Sequence, residues 1–217
     1  MNAPPFTITH ELTGWDLFWV LLEQVSGNEE SLAVLRRTVS ERARGSLSLE
    51  TLSSNPTIAA VRGLFRAAGC DPTRHRPASE ALLRRVLKGE DLPVIHPLVD
   101  LNNCFSVALA VPSGVAAEGS FEPPLVLRAG RAGESYESLR GPFNLEGKPL
   151  LADAEGPFGS PITDSQRIRV QDGTRRAWIV AYLPRGVVDA GKAREILDGL
   201  LAEAPMAEVK ALGLSTG

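Results

Sequence analysis

A polar stripe interrupts the otherwise apolar segment 96–112 (HPLVDLNNCFSVALAVP). If residues 97–110 form a helix, Asp100 and Asn103 lie three positions apart on one face, with Ser106 close to the same line. A strand is the alternative structure for this segment. Buried carboxylate and amide groups need hydrogen-bond partners. These two side chains therefore either cap neighbouring backbone groups or line a pocket beside a ligand amide or hydroxyl, and the sequence leaves both open.

A second feature is a local excess of positive charge in residues 59–88. This segment carries seven basic residues against two acidic ones, although the whole chain has a net charge of −3. Such a basic face can contact a phosphate backbone. The alternative is a solvated helix face with pairs such as Glu80 with Arg84. The candidate phosphate-binding residues are Arg62, Arg66, Arg74, Arg76, Arg84, Arg85 and Lys88.

Two corners of the C-terminal half contain glycine, at 130–134 (GRAGE) and 152–159 (ADAEGPFG). Glycine lets the backbone approach a ligand closely and present its N–H groups. Isolated glycines also occur in ordinary turns between strands. The two corners are therefore candidate ligand contacts only in combination with other features.

Several functional classes are excluded or disfavoured by missing motifs. The chain has no G-x-S-x-G, H-E-x-x-H, EF-hand or C-x-x-C pattern. The segment 141–148 (GPFNLEGK) has five residues between its glycines, and Pro149 stands where a phosphate-binding loop needs Ser or Thr. The two cysteines and three histidines have no metal-ligand spacing. We expect no metal and no cofactor, and a reducing, cytoplasmic environment without a membrane partner.

Hydrophobic periodicity predicts helices first, then short strands, then a closing helix. This order is typical of an α+β fold, and we expect a single domain over 1–217. The predicted helices are 12–24 (ending near Gly27), 29–43, 57–68, 78–88, 97–110 and 188–204. The predicted strands are 124–128, 149–152, 167–171 and 175–183, with a hairpin tip at Asp172-Gly173.

Taken in order, these segments resemble one family. The pattern is RPASEALLRRVLKG, LVDLNN, a proline turn, LVLRAGRAGE and LLADAEGP. It is similar to the aminoacyl-tRNA editing (B3/B4) domain of the phenylalanyl-tRNA synthetase beta subunit, and more closely to stand-alone proteins built on that domain. The resemblance covers roughly residues 55–200. The matching residues are Val99, Asp100, Asn103, Pro112, Arg128, Gly133, Glu134, Ala152 and Asp153.

The resemblance implies a fold and a site. The fold would be a helix-flanked, three-layer β-sandwich of unusual topology, with residues 53–217 as its core and 1–52 as a helical N-terminal extension. The site would lie between the Asp-x-x-Asn segment and the glycine-containing loop. Its pocket residues would be Asp100, Asn102, Asn103, Gly114, Arg128, Glu134, Asp153, Gly156 and Gly159.

The chain departs from the family pattern at three places. Gly114 stands at the position of the family histidine, and Asn102 at that of the threonine. The strand near 177–182 carries no acidic residue, where the family glutamate reads a tyrosine hydroxyl. Because discrimination of a buried hydroxyl depends on a polar partner, the resemblance does not by itself imply tyrosine specificity. No catalytic residue is assigned.

The resemblance implies two alternative functions. The first is binding of tRNA or aminoacyl-tRNA, with hydrolysis of mischarged aminoacyl-tRNA in trans as its chemistry. The second is a non-catalytic module that retains the fold and binds a small metabolite or a protein. A basic face that continues into the pocket favours the first alternative. A closed pocket whose arginines are paired to acids favours the second.

Overall fold

The computed structural model describes residues 6–25 and 29–217. Within them the chain forms ten strands and five α-helices. The helices are α1 (Glu29–Ser46), α2 (Pro56–Ala67), α3 (Ala78–Leu87), α4 (Pro97–Leu109) and α5 (Ala190–Glu203). The strands are β1 (Ile8–His10), β2 (Trp15–Gln24), β3 (Ser113–Ala117), β4 (Leu125–Ala129), β5 (Ser135–Ser138), β6 (Gly141–Asn144), β7 (Pro149–Asp153), β8 (Gly156–Gly159), β9 (Arg176–Pro184) and β10 (Ala207–Thr216).

The elements form three layers, as the resemblance implied. One antiparallel sheet has the order β10-β2-β9-β3, and a second has the order β1-β4-β7-β8. The helices α1, α3, α4 and α5 bury their apolar faces against one side of the first sheet. The second sheet and α2 cover its other side. The α+β class is therefore confirmed.

Strand β2 corrects the prediction of a helix over 12–24. Phe18, Val20 and Leu22 face the helical layer, whereas Trp19 and Leu21 face the second sheet. A strand buried on both faces has no polar alternation, so its apolar run imitates a buried helix. The predicted end near Gly27 lies outside the described residues. Because β2 pairs with β9 and β10, this part of the chain is integral to the first sheet.

The predicted strand 167–171 and its hairpin are also wrong. Residues Gln166–Ile168 form a single 3-10 turn, and the following residues belong to no strand. Ile168 and Val170 are both buried, in different apolar clusters. Their alternation therefore reflects two separate packing contacts. Asp172-Gly173 forms a turn closed by Thr174 N donating to the carbonyl of Gln171, and β9 pairs with β2 and β3 instead.

The remaining helix predictions are confirmed to within a few residues. For the segment 97–110 the helix, rather than the strand, is correct. His96 caps α4 through its Nδ1, which accepts from Leu98 N. Ala110 ends α4 in a left-handed conformation with φ 57°. This helix packs beside α3 and leads directly into β3, so it links the two segments that carry the candidate site.

Candidate functional site

A cavity of about 790 Å³ joins the basic segment to the polar stripe on α4. Its walls come from the loop before α3, from α3 itself, from Asn103 on α4 and from the β5–β6 hairpin. Glu90 is the acidic side chain in its lining, and Phe143 and Ile162 contribute apolar surface. The cationic side chains in the lining are Arg74, Arg76, Arg84, Arg85, Lys88 and Arg140.

Part of this positive charge is held in place by one buried carboxylate. Glu80 on α3 is fully buried, and its Oε2 lies 2.9 Å from Arg62 Nη1. Its Oε1 lies 2.9 Å from Arg84 Nε and 3.7 Å from Arg76 Nε. One carboxylate cannot neutralise three guanidinium groups, so the cluster keeps a net positive charge. Arg62 does not line the cavity, and its role is to hold α2 against α3.

Three cations of the cavity have no acidic partner within residues 6–25 and 29–217: Arg74, Lys88 and Arg140. All three are exposed. Arg85, by contrast, lies 3.3 Å from Glu90 and donates to the carbonyl of Asp91. The predicted Arg66 is exposed but does not line the cavity. Arg140 was missed because it lies outside the basic segment 59–88.

Asp100 has a structural role on the side of α4 that faces α1. Its carboxylate accepts from Arg36 Nη1 at 2.7 Å and from Ile95 N at 2.9 Å. Burial raises the pKa of Asp100, although both hydrogen bonds act to lower it. The lining of the 790 Å³ cavity includes Asn103 but not Asp100. The polar stripe thus divides between its two alternatives. Asp100 binds a backbone N–H and an arginine, whereas Asn103 lines a cavity.

Asn102 connects α4 to β3. Its Nδ2 donates to the carbonyl of Ser113 at 3.3 Å, and Ser113 Oγ donates back to the carbonyl of Asn102. Asn102 is buried, and its Oδ1 has no hydrogen-bond partner within the described residues. A buried acceptor without a partner is costly. Among the predicted pocket residues, Asn102 therefore has an unused acceptor, although it does not line the 790 Å³ cavity.

Four other predicted pocket residues stabilise turns. Arg128 is buried and forms a bidentate pair with Glu134, with both N···O distances 2.7 Å. Asp153 pairs with Arg167 and accepts from the backbone N–H of Gly156, which closes the β7–β8 turn. Burial acts to raise the pKa of Asp153, but its bonds to Arg167 and to backbone N–H groups lower it. No hydrogen bond in the described part of the chain joins α4 to residues 153–159.

The sequence pattern of a known family covers most of this architecture. The model of the B3/4 domain family matches residues 60–197, which is more than half of the chain. The chain belongs to the B3/4 domain family. The match includes α3, α4 and every residue that lines the 790 Å³ cavity.

One solved structure similar to this B3/4 chain is an N-terminal fragment of the phenylalanyl-tRNA synthetase beta-subunit from Pyrococcus horikoshii. The two share 15% sequence identity with a TM-score of 0.47, over 99% of this chain and 51% of the fragment. The chain thus spans about half of that fragment. No curated protein matches the chain.

The two predicted glycines Gly114 and Gly159 meet at a carboxyl group that sequence reasoning missed. A Cβ atom built on Gly114 would lie 3.0 Å from Asp164 Oδ2, and one built on Gly159 would lie 3.1 Å from Asp164 Oδ1. Asp164 follows β8 in a polar loop, where no spacing or motif distinguishes it from a surface aspartate. Its position against two glycines becomes visible only in the folded B3/4 domain.

The described part of the B3/4 chain offers no group of three or more His, Cys, Asp or Glu residues able to hold a metal ion. Cys70 and Cys104 are buried free thiols. Within the same residues, no helix has the length and apolar character needed to cross a membrane.

Proposed function

We propose that this B3/4 domain binds tRNA or aminoacyl-tRNA at the 790 Å³ cavity. The observation that carries the proposal is that Asn103 lines the same cavity as six cationic side chains, with Glu90 the acidic side chain among them. Cationic side chains in such a groove neutralise backbone phosphates, and an amide beside them can hydrogen-bond the attached group. Membership of the B3/4 family supports a tRNA-related role.

The chemistry that we propose at this site is hydrolysis of mischarged aminoacyl-tRNA in trans. The ester between the amino acid and the terminal ribose would lie near Asn102 and Asn103, while the cavity cations hold the phosphates. Asn102 Oδ1, which lacks a partner in the described residues, would accept a hydrogen bond from the amino group of the bound aminoacyl ester or from water. A deacylation screen with a panel of mischarged tRNAs tests this half of the proposal.

Filter binding of tRNA at two salt concentrations tests the binding half. Each neutralised phosphate contributes a slope of roughly −0.7 to −0.9 in log affinity against log salt, so four contacts cost about 40- to 150-fold over a fourfold rise in salt. The variant Arg74→Ala/Lys88→Ala should reduce that slope by about one to two units. Neither side chain has an acidic partner in the described residues, so internal ion pairs are preserved.

Arg37→Ala/Arg169→Ala is the charge-matched control. Both arginines are exposed, lie outside the cavity lining and have no acidic partner in the described ranges. This variant should keep the wild-type slope. Binding that is undetectable, or that does not respond to salt, would contradict the proposal.

The second candidate function is a module that binds a small metabolite or a protein without catalysis. A cavity of about 560 Å³ between α1, α4 and α5 supports it, because the lining is largely apolar and includes Val39, Leu47 and Leu200. The pairing of Arg84 and Arg85 with acids points the same way. Salt-independent binding of an apolar metabolite, with no tRNA binding, would favour this alternative.

A further inference from the structure

Asp164 is an interior carboxyl group that the binding function proposed above does not use. It lies where the first sheet meets the second, with Gly114 of β3 on one side and Gly159 of β8 on another. At both positions a Cβ would approach the carboxylate oxygens to 3.0–3.1 Å, which is tighter than ordinary van der Waals contact. Glycine at 114 and 159 therefore makes room for this carboxyl group.

The surroundings of Asp164 contain no cation that would fix its charge. Ser160 N donates to Oδ1 at 3.4 Å, and the N–H of Val115 also donates to the carboxylate. The titratable groups that face it are the hydroxyls of Tyr136 on β5 and Tyr182 on β9. No salt bridge joins Asp164 to a basic side chain in the described part of the molecule. Two backbone donors thus hold the carboxyl group without neutralising it.

Asp164 adjoins the 790 Å³ cavity through both neighbouring segments. Ile162, two residues before it, lines the cavity. On the other side, Gly114 follows Ser113. Ser113 accepts a hydrogen bond from the side chain of Asn102 and donates one to its carbonyl. Asp164 does not line the cavity itself, and the residue as a whole is partly exposed. Its carboxyl group therefore packs against the residue that follows Ser113, the partner of Asn102, and lies two residues from the cavity wall.

We propose that Asp164 is the general base that activates water for ester hydrolysis in this chain, an inference that rests on the function proposed above. The ionised carboxylate accepts a proton from water as the water oxygen bonds to the ester carbonyl carbon. The bond from that carbon to the ribose oxygen then breaks, and the ribose oxygen takes the proton back from Asp164. The products are the free amino acid and the tRNA with its terminal hydroxyl, and the carboxylate is regenerated.

The acidity of Asp164 suits this role. Burial raises its pKa to about 7, against the bonds from Ser160 and Val115 that act to lower it. A general base works best when its pKa lies near the working pH, because the group is then both available and basic enough to take the proton. The geometry supplies the location of the base, and the pKa supplies its strength at neutral pH.

The test is the rate of mischarged-tRNA deacylation by wild type and Asp164→Asn, with the uncatalysed rate subtracted and tRNA binding measured in parallel. Wild-type rates should rise about tenfold per pH unit below pH 7 and level off above it. Asp164→Asn should lose about 100- to 10,000-fold in rate, and this pH dependence with it, while binding tRNA as wild type does. Asp198→Asn, an exposed carboxylate on α5, is the matched control and should keep the wild-type rate and profile.

The outcomes separate this inference from the binding function. An Asp164→Asn variant that hydrolyses the ester at the wild-type rate overturns the inference and leaves the proposed function standing. Wild-type protein that binds tRNA but hydrolyses no ester in the panel also overturns the inference and leaves tRNA binding standing. Wild-type protein that neither binds nor hydrolyses overturns both. Circular dichroism of Asp164→Asn distinguishes a loss of chemistry from a loss of folding.

Discussion

Two interior aspartates of this chain differ in what surrounds them. Asp100 receives a guanidinium and a backbone N–H, so its charge is compensated. Asp164 receives two backbone N–H groups and, among the described residues, no basic side chain. Burial raises the pKa of both carboxyl groups, to about 7 for Asp164, and only Asp100 has a guanidinium that acts to lower it. The two residues should therefore respond differently to pH and to mutation.

Asp164 should make stability fall as pH rises from about 4 to 7. Its pKa is about 7 in the folded chain, against an ordinary value of 3.8, so in that window the folded chain holds a proton that the unfolded chain has lost. Asparagine has no such proton. The unfolding free energy of Asp164→Asn minus that of wild type should therefore increase by about 2–4 kcal/mol when the pH is raised from 4 to 8. Urea unfolding of wild type and variant at pH 4 and at pH 8 measures this change. A stability difference between the two proteins that is the same at both pH values would contradict the prediction.

Removing Arg36 should leave the Asp100 carboxylate buried without its cation. Arg36→Met is expected to lower the free energy of unfolding by about 3–5 kcal/mol, because breaking a buried pair exposes the desolvation cost of the remaining charge. Arg37→Met, at the exposed neighbouring position, should change it by less than about 0.5 kcal/mol. Thermal or urea unfolding of both variants gives the comparison. Equal effects would mean that the pair does not stabilise α1 against α4.

At the scale of elements, β2 contributes side chains to both apolar clusters. Phe18 contacts the helical layer and Trp19 the layer of the second sheet. Phe18→Ala should therefore cost about 3–5 kcal/mol of unfolding free energy through a cavity in the core. Val34→Ala, at a site on α1 that is 45% exposed, should cost less than about 0.5 kcal/mol. A small effect of Phe18→Ala would contradict the assignment of both faces of β2 as buried.

Helices were predictable because their signals are local. The apolar stripe and following Gly89 place α3, and apolar periodicity favours the helix over the alternative strand for the 97–110 segment. Strand β2 was not predictable as a strand, because its identity depends on β9 and β10, which are distant in sequence. Strand β10 was missed for the same reason. Strand propensity is decided by neighbouring strands rather than by the strand's own sequence.

The candidate site was predictable only where one segment carries several functional residues. The basic residues before and within α3 are contiguous, and five of the seven predicted cations line the cavity. Asp164 was not predictable, because its surroundings come from four strands, β3, β5, β8 and β9, that meet only after folding. Arg128 and Asp153 were predicted from the resemblance, and the structure places them in ion pairs beside turns. A motif identifies residue types, but the partners of each side chain decide its role.

At the scale of the whole molecule, the residues before 53 contribute strand β2 to the first sheet. The strand β2 lies between β10 and β9 in its interior. A truncated chain of residues 53–217 should therefore fail to fold, because β9 would lose one neighbour and both apolar clusters would lose a strand. Circular dichroism and a proton NMR spectrum of the truncated chain check this. A folded, soluble product would support residues 1–52 as an extension outside the core.

The order of the first sheet also sets when this protein can fold during its synthesis. Strand β2 is made early, yet Trp15 pairs with Pro184 and Gln24 pairs with Ala207. More than 150 residues must therefore leave the ribosome before either neighbour exists. Throughout that interval a ten-residue apolar strand has no partner, and such segments bind chaperones or one another. A high contact order, which slows folding, follows directly from placing an N-terminal strand between two C-terminal ones.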